Sequence, residues 1–67
     1  MTVMEEMTQL ILARPGPLAT NDEVAAWYGR KARLLARIAE AGGPDAEQTR
    51  RLAELAEERS QSLRLAG

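Results

Sequence analysis

The chain has no cysteine, no histidine and no phenylalanine, and its only aromatic side chains are the adjacent Trp27 and Tyr28. Without cysteine there is neither a disulfide framework nor a thiolate nucleophile. Without histidine as well, a zinc site of the usual kind and an imidazole base are closed. No glycine-rich phosphate loop is present, and no nucleophile and base can be paired. The carboxylates do not replace them. Glu5 and Glu6, like Glu57 and Glu58, are neighbours that diverge on a helix, and Glu54 with Glu58 at i,i+4 offers a hard cation too few oxygens. The sequence reads as a non-enzymatic protein with no catalytic residue, cofactor or metal.

Charge of one sign is also lacking. Nine basic residues face ten acidic ones, a net charge of −1, so no overall field draws the chain to nucleic acid or anionic lipid. Eight of the nine cations are arginine, which together with abundant alanine fits a high-GC coding bias and warns against giving each arginine a role. The first residues show no basic segment leading into an apolar run, and no stretch approaches about 18 uninterrupted apolar residues. The expectation is a cytoplasmic protein with no membrane segment.

Bulky apolar residues are few. Hydrophobic residues make up 45% of the 67, but twelve of them are alanine, leaving nine Leu, two Ile, two Val, three Met and the two aromatics to form a core. A single domain of this size is close to the limit of what one core sustains, and with disulfides and metals closed the remaining support is self-association. A homo-oligomer, a dimer first, is therefore expected.

What is present is helical punctuation. Thr2 and Glu5 have capping-box spacing, and Val3, Met4, Met7, Leu10 and Ile11 share one face of a short first helix over about residues 3–13. Pro15 disfavours helical geometry at Arg14, so residues 14–20 read as a linker. A second helix spans about 21–41, opened by Thr20 with Glu23 or by Asn21, with Asp22 and Glu23 where the helix dipole favours negative charge. Gly42 and Gly43 supply a left-handed exit, Pro44 prevents continuation, and Asp45 is placed to cap a third helix over about 46–65. A turn of four residues, 42–45, leaves room only for antiparallel neighbours. The predicted fold is all-α: a short N-terminal helix and a long antiparallel αα-hairpin, one helical domain over 1–67, dimerising into a helical bundle.

At 100° per residue the second helix divides into three faces. Val24, Trp27, Tyr28, Leu34, Leu35 and Ile38 form a broad apolar stripe, expected to serve as core or interface. Ala25, Gly29, Ala32, Ala36 and Ala39 form a stripe of small residues that would let another helix approach closely. The alternative is that alanine is simply the best helix former. If buried, this stripe makes the second helix central, with the third helix on one side and the first helix or a second protomer on the other. Arg30, Arg33 and Arg37 lie on the third face and, with Lys31, make a candidate phosphate-contacting patch.

The third helix shows a thinner stripe of Gln48, Leu52, Leu55, Ala56, Arg59, Leu63 and Ala66 on a surface otherwise laced with charge. Folding the hairpin about Gly43 then pairs Leu35 with Leu52, Ile38 with Thr49, Val24 with Leu63 and Tyr28 with Arg59. Leu52, Leu55 and Leu63 join the candidate core. Lys31 and Arg59 interrupt this seam, either setting its register or lying along it with their charged ends in water, and Arg59 is placed to sit over Trp27 or Tyr28.

Two functions fit this pattern. The favoured one is a small interaction, assembly or accessory protein acting through protein–protein contacts. The other is a nucleic-acid-binding regulator that uses the Arg30, Lys31, Arg33 and Arg37 patch. It is weakened by the many acids and by Asp22 and Glu23 at the start of the second helix, which phosphates repel.

Overall fold

The structure, a computed structural model, describes residues 2–66. It is all-helical: α1 covers Val3–Leu12, α2 Asn21–Glu40 and α3 Ala46–Ala66. Each start follows from local chemistry. The Glu5 amide donates to Thr2 Oγ1 at 3.1 Å at the head of α1. At the head of α2 the capping box is reciprocal, the Glu23 amide donating to Thr20 Oγ1 at 3.1 Å and the Thr20 amide to Glu23 Oε1 at 3.4 Å. Thr20, rather than Asn21, is the cap. The expected ends were close: Ala13 and Ala41 are capping residues outside α1 and α2, and α3 reaches Ala66.

Between α2 and α3, Gly42 and Gly43 take φ of 85° and 115°, a region where a Cβ is strained, and the Gly42 amide donates to Ala39 O at 3.1 Å. Asp45 does not act through its carboxylate. It contributes its backbone carbonyl to the Thr49 amide at 2.9 Å, while the Ala46 amide donates to Gly43 O, so the turn itself starts α3.

α2 and α3 pack as an antiparallel hairpin, but on a different seam from the leucine-lined one. The buried residues of α3 are Ala53, Ala56 and Ser60, whereas Leu52 is 51% and Leu55 54% exposed. Facing them, Ala25, Gly29, Ala32 and Ala39 are buried and Ala36 is half-buried. The α2 set is spaced 4, 3, 4, 3, and so is the α3 set Thr49, Ala53, Ala56, Ser60, Leu63. Two small-residue stripes at heptad spacing therefore interlock.

Relative to the expected pairing, α3 is turned by one residue step, roughly 100°. Two physical effects favour the turn. Small side chains let helices approach to the short end of the about 8–10 Å range, bringing backbone against backbone. The leucine seam would also have enclosed the Arg59 guanidinium, and charge buried without a partner is costly. Within this seam Ser60 Oγ donates to Ala25 O at 2.7 Å, which satisfies the one polar side chain buried among the described residues.

Gly29 lies opposite that hydroxyl without being required there. A Cβ at position 29 would meet Ser60 Oγ at 3.6 Å, ordinary van der Waals contact. Because glycine inside a helix is less favourable than alanine by about 0.8–1 kcal/mol, Gly29→Ala is expected to stabilise the protein. A thermal melt should show Tm rising by about 4–8 °C.

α1 packs only on α2. Leu10, 7% exposed, meets Leu34, 6% exposed, in the cleft between the two helices. Pro15 sends the Arg14 amide back to Ile11 O, leaving the Leu10 carbonyl without its usual helical donor, and Trp27 Nε1–H fills that place at 2.7 Å. Glu6 and Arg37 add a bidentate ion pair with both contacts at 2.8 Å. Among the described residues α1 and α3 share no contact. The three helices thus form a row with α2 in the middle, not a closed bundle, within an envelope of 36 × 23 × 15 Å.

Candidate functional site

A row of helices has two broad faces, and the wheel positions of the side chains sort them. Seen down α2, the seam to α3 lies about 180° from the Leu34 side that meets α1, leaving two open quadrants. One carries Val24, Tyr28, Lys31 and Leu35. The other carries Asp22, Arg33 and Glu40.

The first quadrant continues onto α3. Tyr28, Lys31 and Leu35 line a groove of about 220 Å³ with Leu52, Leu55 and Ala56. It runs into a second, of about 290 Å³, formed by Arg14, Pro15, Val24, Trp27, Tyr28 and Lys31. Tyr28 and Lys31 are common to both, so the two are continuous. On α1, Glu6 and Gln9 open toward the arginine side. Met7 and Ile11, some 100–200° further round that helix, therefore turn to the apolar side. They are 38% and 57% exposed. One face of the protein thus gathers uncovered apolar side chains from all three helices.

The aromatic pair is organised by Lys31 rather than by Arg59. The Trp27 and Tyr28 rings meet edge to face with centroids 5.2 Å apart, and Lys31 Nζ lies 5.5 Å from one and 5.8 Å from the other. Lys31 wins because it shares a helix with both rings and stands one turn from Trp27, whereas the rotation of α3 takes Arg59 out of the seam. Its ammonium stays on the surface while its stem crosses apolar ground.

The sequence-predicted core residues divide by helix. Leu34 is buried, Val24, Trp27, Tyr28, Leu35, Ile38 and Leu63 are half-buried, and Leu52 and Leu55 stand in the open groove. The four cations of the phosphate patch do not share a surface. Arg30, Arg33 and Arg37 line the cleft of about 240 Å³ between α1 and α2, Arg37 donating from Nη1 and Nη2 to the Glu6 carboxylate, while Lys31 lies on the opposite, apolar face.

Two contributors were given no role from sequence. Ser60 was hidden because a polar residue does not register as core, although its spacing from Ala53 and Ala56 was there to be read. The outward side of α1 was hidden because its stripe is wider than one neighbouring helix can cover.

The Glu6 carboxyl is held below the ordinary glutamate range by its hydrogen bonds to Arg37 and then by the guanidinium charge, and Arg37 is correspondingly raised. A depressed folded-state pKa adds stability above the usual glutamate value and loses it as pH falls through the lowered one. α1 is therefore expected to stay docked from neutral pH down to the glutamate range and to loosen below it. Hydrogen exchange of the α1 amides against pH checks this. Glu6→Gln should loosen α1 at neutral pH and flatten that dependence. Trp27→Phe, lacking the donor to Leu10 O, should also raise α1 exchange while leaving the α2–α3 seam protected.

Among the described residues no group of three carboxylates, histidines or cysteines is placed to hold a metal ion, and no helix is long and apolar enough to cross a membrane. No protein family, characterised protein or solved structure matches the chain.

Proposed function

We propose that this protein is a non-enzymatic helical module that acts through protein–protein contacts made by its open apolar face. The observation that carries the reading is the half-exposed pair Leu52 and Leu55, set in a continuous groove with Tyr28 and Leu35 and covered by nothing else among the described residues. Helical domains normally bury such a face against a second layer, and here the single row of helices supplies none.

Surface area supports the same reading. The chain exposes 5107 Å², whereas a folded monomer of 7.4 kDa is expected to expose about 4,200 Å². The excess, roughly 900 Å², is close to the about 800 Å² that each partner contributes to a standard interface.

The test is position-specific photo-crosslinking of the intact chain in its native cell. A photoreactive residue in place of Leu52 is expected to crosslink to protein, and the same residue in place of Arg50, an exposed position two residues away on the opposite, charged side of α3, is not. Equal crosslinking at both positions, or none at Leu52, would contradict the reading.

A further inference from the structure

The chemistry of the open face narrows what covers it. This inference rests on the face being a protein-contact surface. Lys31 lies at the junction of the two grooves, Arg14 lines one end, and no described acidic residue lines either groove. By wheel position Arg59 borders the same face on α3, one turn beyond Leu55. The protein as a whole carries a net charge of −1, so its cations have been separated from its acids on this side. Three other clefts and grooves, by contrast, include glutamate: Glu6 between α1 and α2, Glu47 and Glu54 on the back of α3, Glu5 on α1.

A second copy does not suit such a surface. In a two-fold pair stacked through this face, both copies of Lys31 would be covered by a surface whose grooves bring no carboxylate from either chain. Covering a charge without a partner is costly, and like charges facing each other across an interface add to it. A partner that brings its own carboxylates removes both penalties. The shape points to a helix: the groove follows the line between α2 and α3, the arrangement in which an amphipathic helix lays its apolar residues into a hydrophobic channel. A flat lipid surface would not fill a channel of this form.

We propose that the open face binds an acidic amphipathic helix of a different protein. Its apolar residues at i, i+3 or i+4, and i+7 seat against Tyr28, Leu35, Leu52 and Leu55. An Asp or Glu on its flank meets Lys31, with Arg59 or Arg14 taking a second acid.

The experiment uses the intact chain and three probes: a synthetic helix of about 18 residues, some 27 Å long, with leucines at those spacings flanked by glutamate; the same peptide with lysine for every glutamate; and vesicles containing anionic lipid. Binding is followed by Trp27 fluorescence and by amide shift mapping, with sedimentation of the chain alone alongside. The glutamate peptide is expected to bind at least about tenfold more tightly than the lysine peptide, with the difference shrinking as salt is raised. Shifts should cluster on Tyr28, Lys31, Leu35, Leu52 and Leu55. Lys31→Gln is expected to reduce the preference for the glutamate peptide while leaving the fold unchanged, and the double variant Leu52→Ser/Leu55→Ser to weaken both peptides.

Several results would overturn the proposal: equal or reversed preference, binding of neither peptide, shifts confined to the Arg30, Arg33 and Arg37 cleft, or binding to vesicles in preference to the glutamate peptide. Self-association that is abolished by Leu52→Ser/Leu55→Ser would also overturn it. In that last case, or if neither peptide bound while crosslinking through Leu52 stood, the protein-contact reading would survive and only the acidic-helix occupant would fall.

Discussion

Replacing Ala25 with leucine is expected to abolish the cooperative fold. Ala25 is fully enclosed, its carbonyl accepts the Ser60 hydroxyl at 2.7 Å, and it faces α3 across a seam whose side chains are nearly all methyl-sized. Extra methylenes at such a point have no room, because Ala25 has no exposure left and the Ser60 hydroxyl already sits against its backbone, so the helices must separate. Overpacking typically costs about 1–3 kcal/mol and more where the site is rigid, and small domains have only about 5 kcal/mol or less to lose. The control lies next door. Ala26 is on the same helix and exposed, and Ala26→Leu is expected to leave the melt within about 0.5 kcal/mol of the parent. Circular dichroism melts of the two variants check the pair.

The second large effect is a contrast among leucines. Leu34, 6% exposed and packed against Leu10, is expected to lose about 2–3 kcal/mol on replacement by alanine, through lost burial and the cavity left between α1 and α2. Leu52→Ala and Leu55→Ala, at positions more than half exposed, are each expected to lose under about 1 kcal/mol in the isolated chain. Denaturant titration at one protein concentration measures all three. The leucine-lined seam expected from the sequence would reverse this order for Leu52.

That reversal marks where the chain was legible and where it was not. Element boundaries were readable because they are written locally: Thr20 with Glu23, the Gly42 and Gly43 exit, and Pro15 act within one turn of themselves. The division of α2 into an apolar, a small and a charged stripe was readable for the same reason. The partner of each stripe was not. Periodicity favoured joining the bulkiest stripe of α2 to the bulkiest stripe of α3, whereas the hairpin joins the two small stripes and leaves Leu52 and Leu55 outside.

The deciding quantity is how closely two backbones can approach, a property of the pair that neither helix carries alone. Ser60 illustrates it: taken singly it reads as a polar surface residue, and opposite Ala25 it becomes a buried donor that ties the two helices together. The aromatic site shows a milder case. Trp27 and Tyr28 stood out as the only aromatics, but that Lys31 would cover them, and that the Trp27 indole would complete the end of α1, depended on where Pro15 turned the chain. The open apolar face was hidden most deeply, since it consists of leftovers from three helices and becomes a surface only once α1 and α3 are known to lie on opposite sides of α2.

The same geometry limits the nucleic-acid alternative. Phosphate contact needs cations free to reach a common line of charge. Arg37 is held by Glu6, and Lys31 points to the other side of the layer. What remains, Arg30 and Arg33, is a small patch beside a carboxylate.

The central claim is that small residues form the seam and leave the leucines of α3 uncovered. It is tested most directly by the effect of a soluble paramagnetic agent on the methyl signals of the dilute, intact chain. The account expects the Leu52 and Leu55 methyls to broaden strongly, while those of Ala25, Ala53 and Ala56 stay sharp and show cross-relaxation between α2 and α3. Sharp leucine methyls in contact with Leu35, together with broadened Ala53 and Ala56, would contradict it.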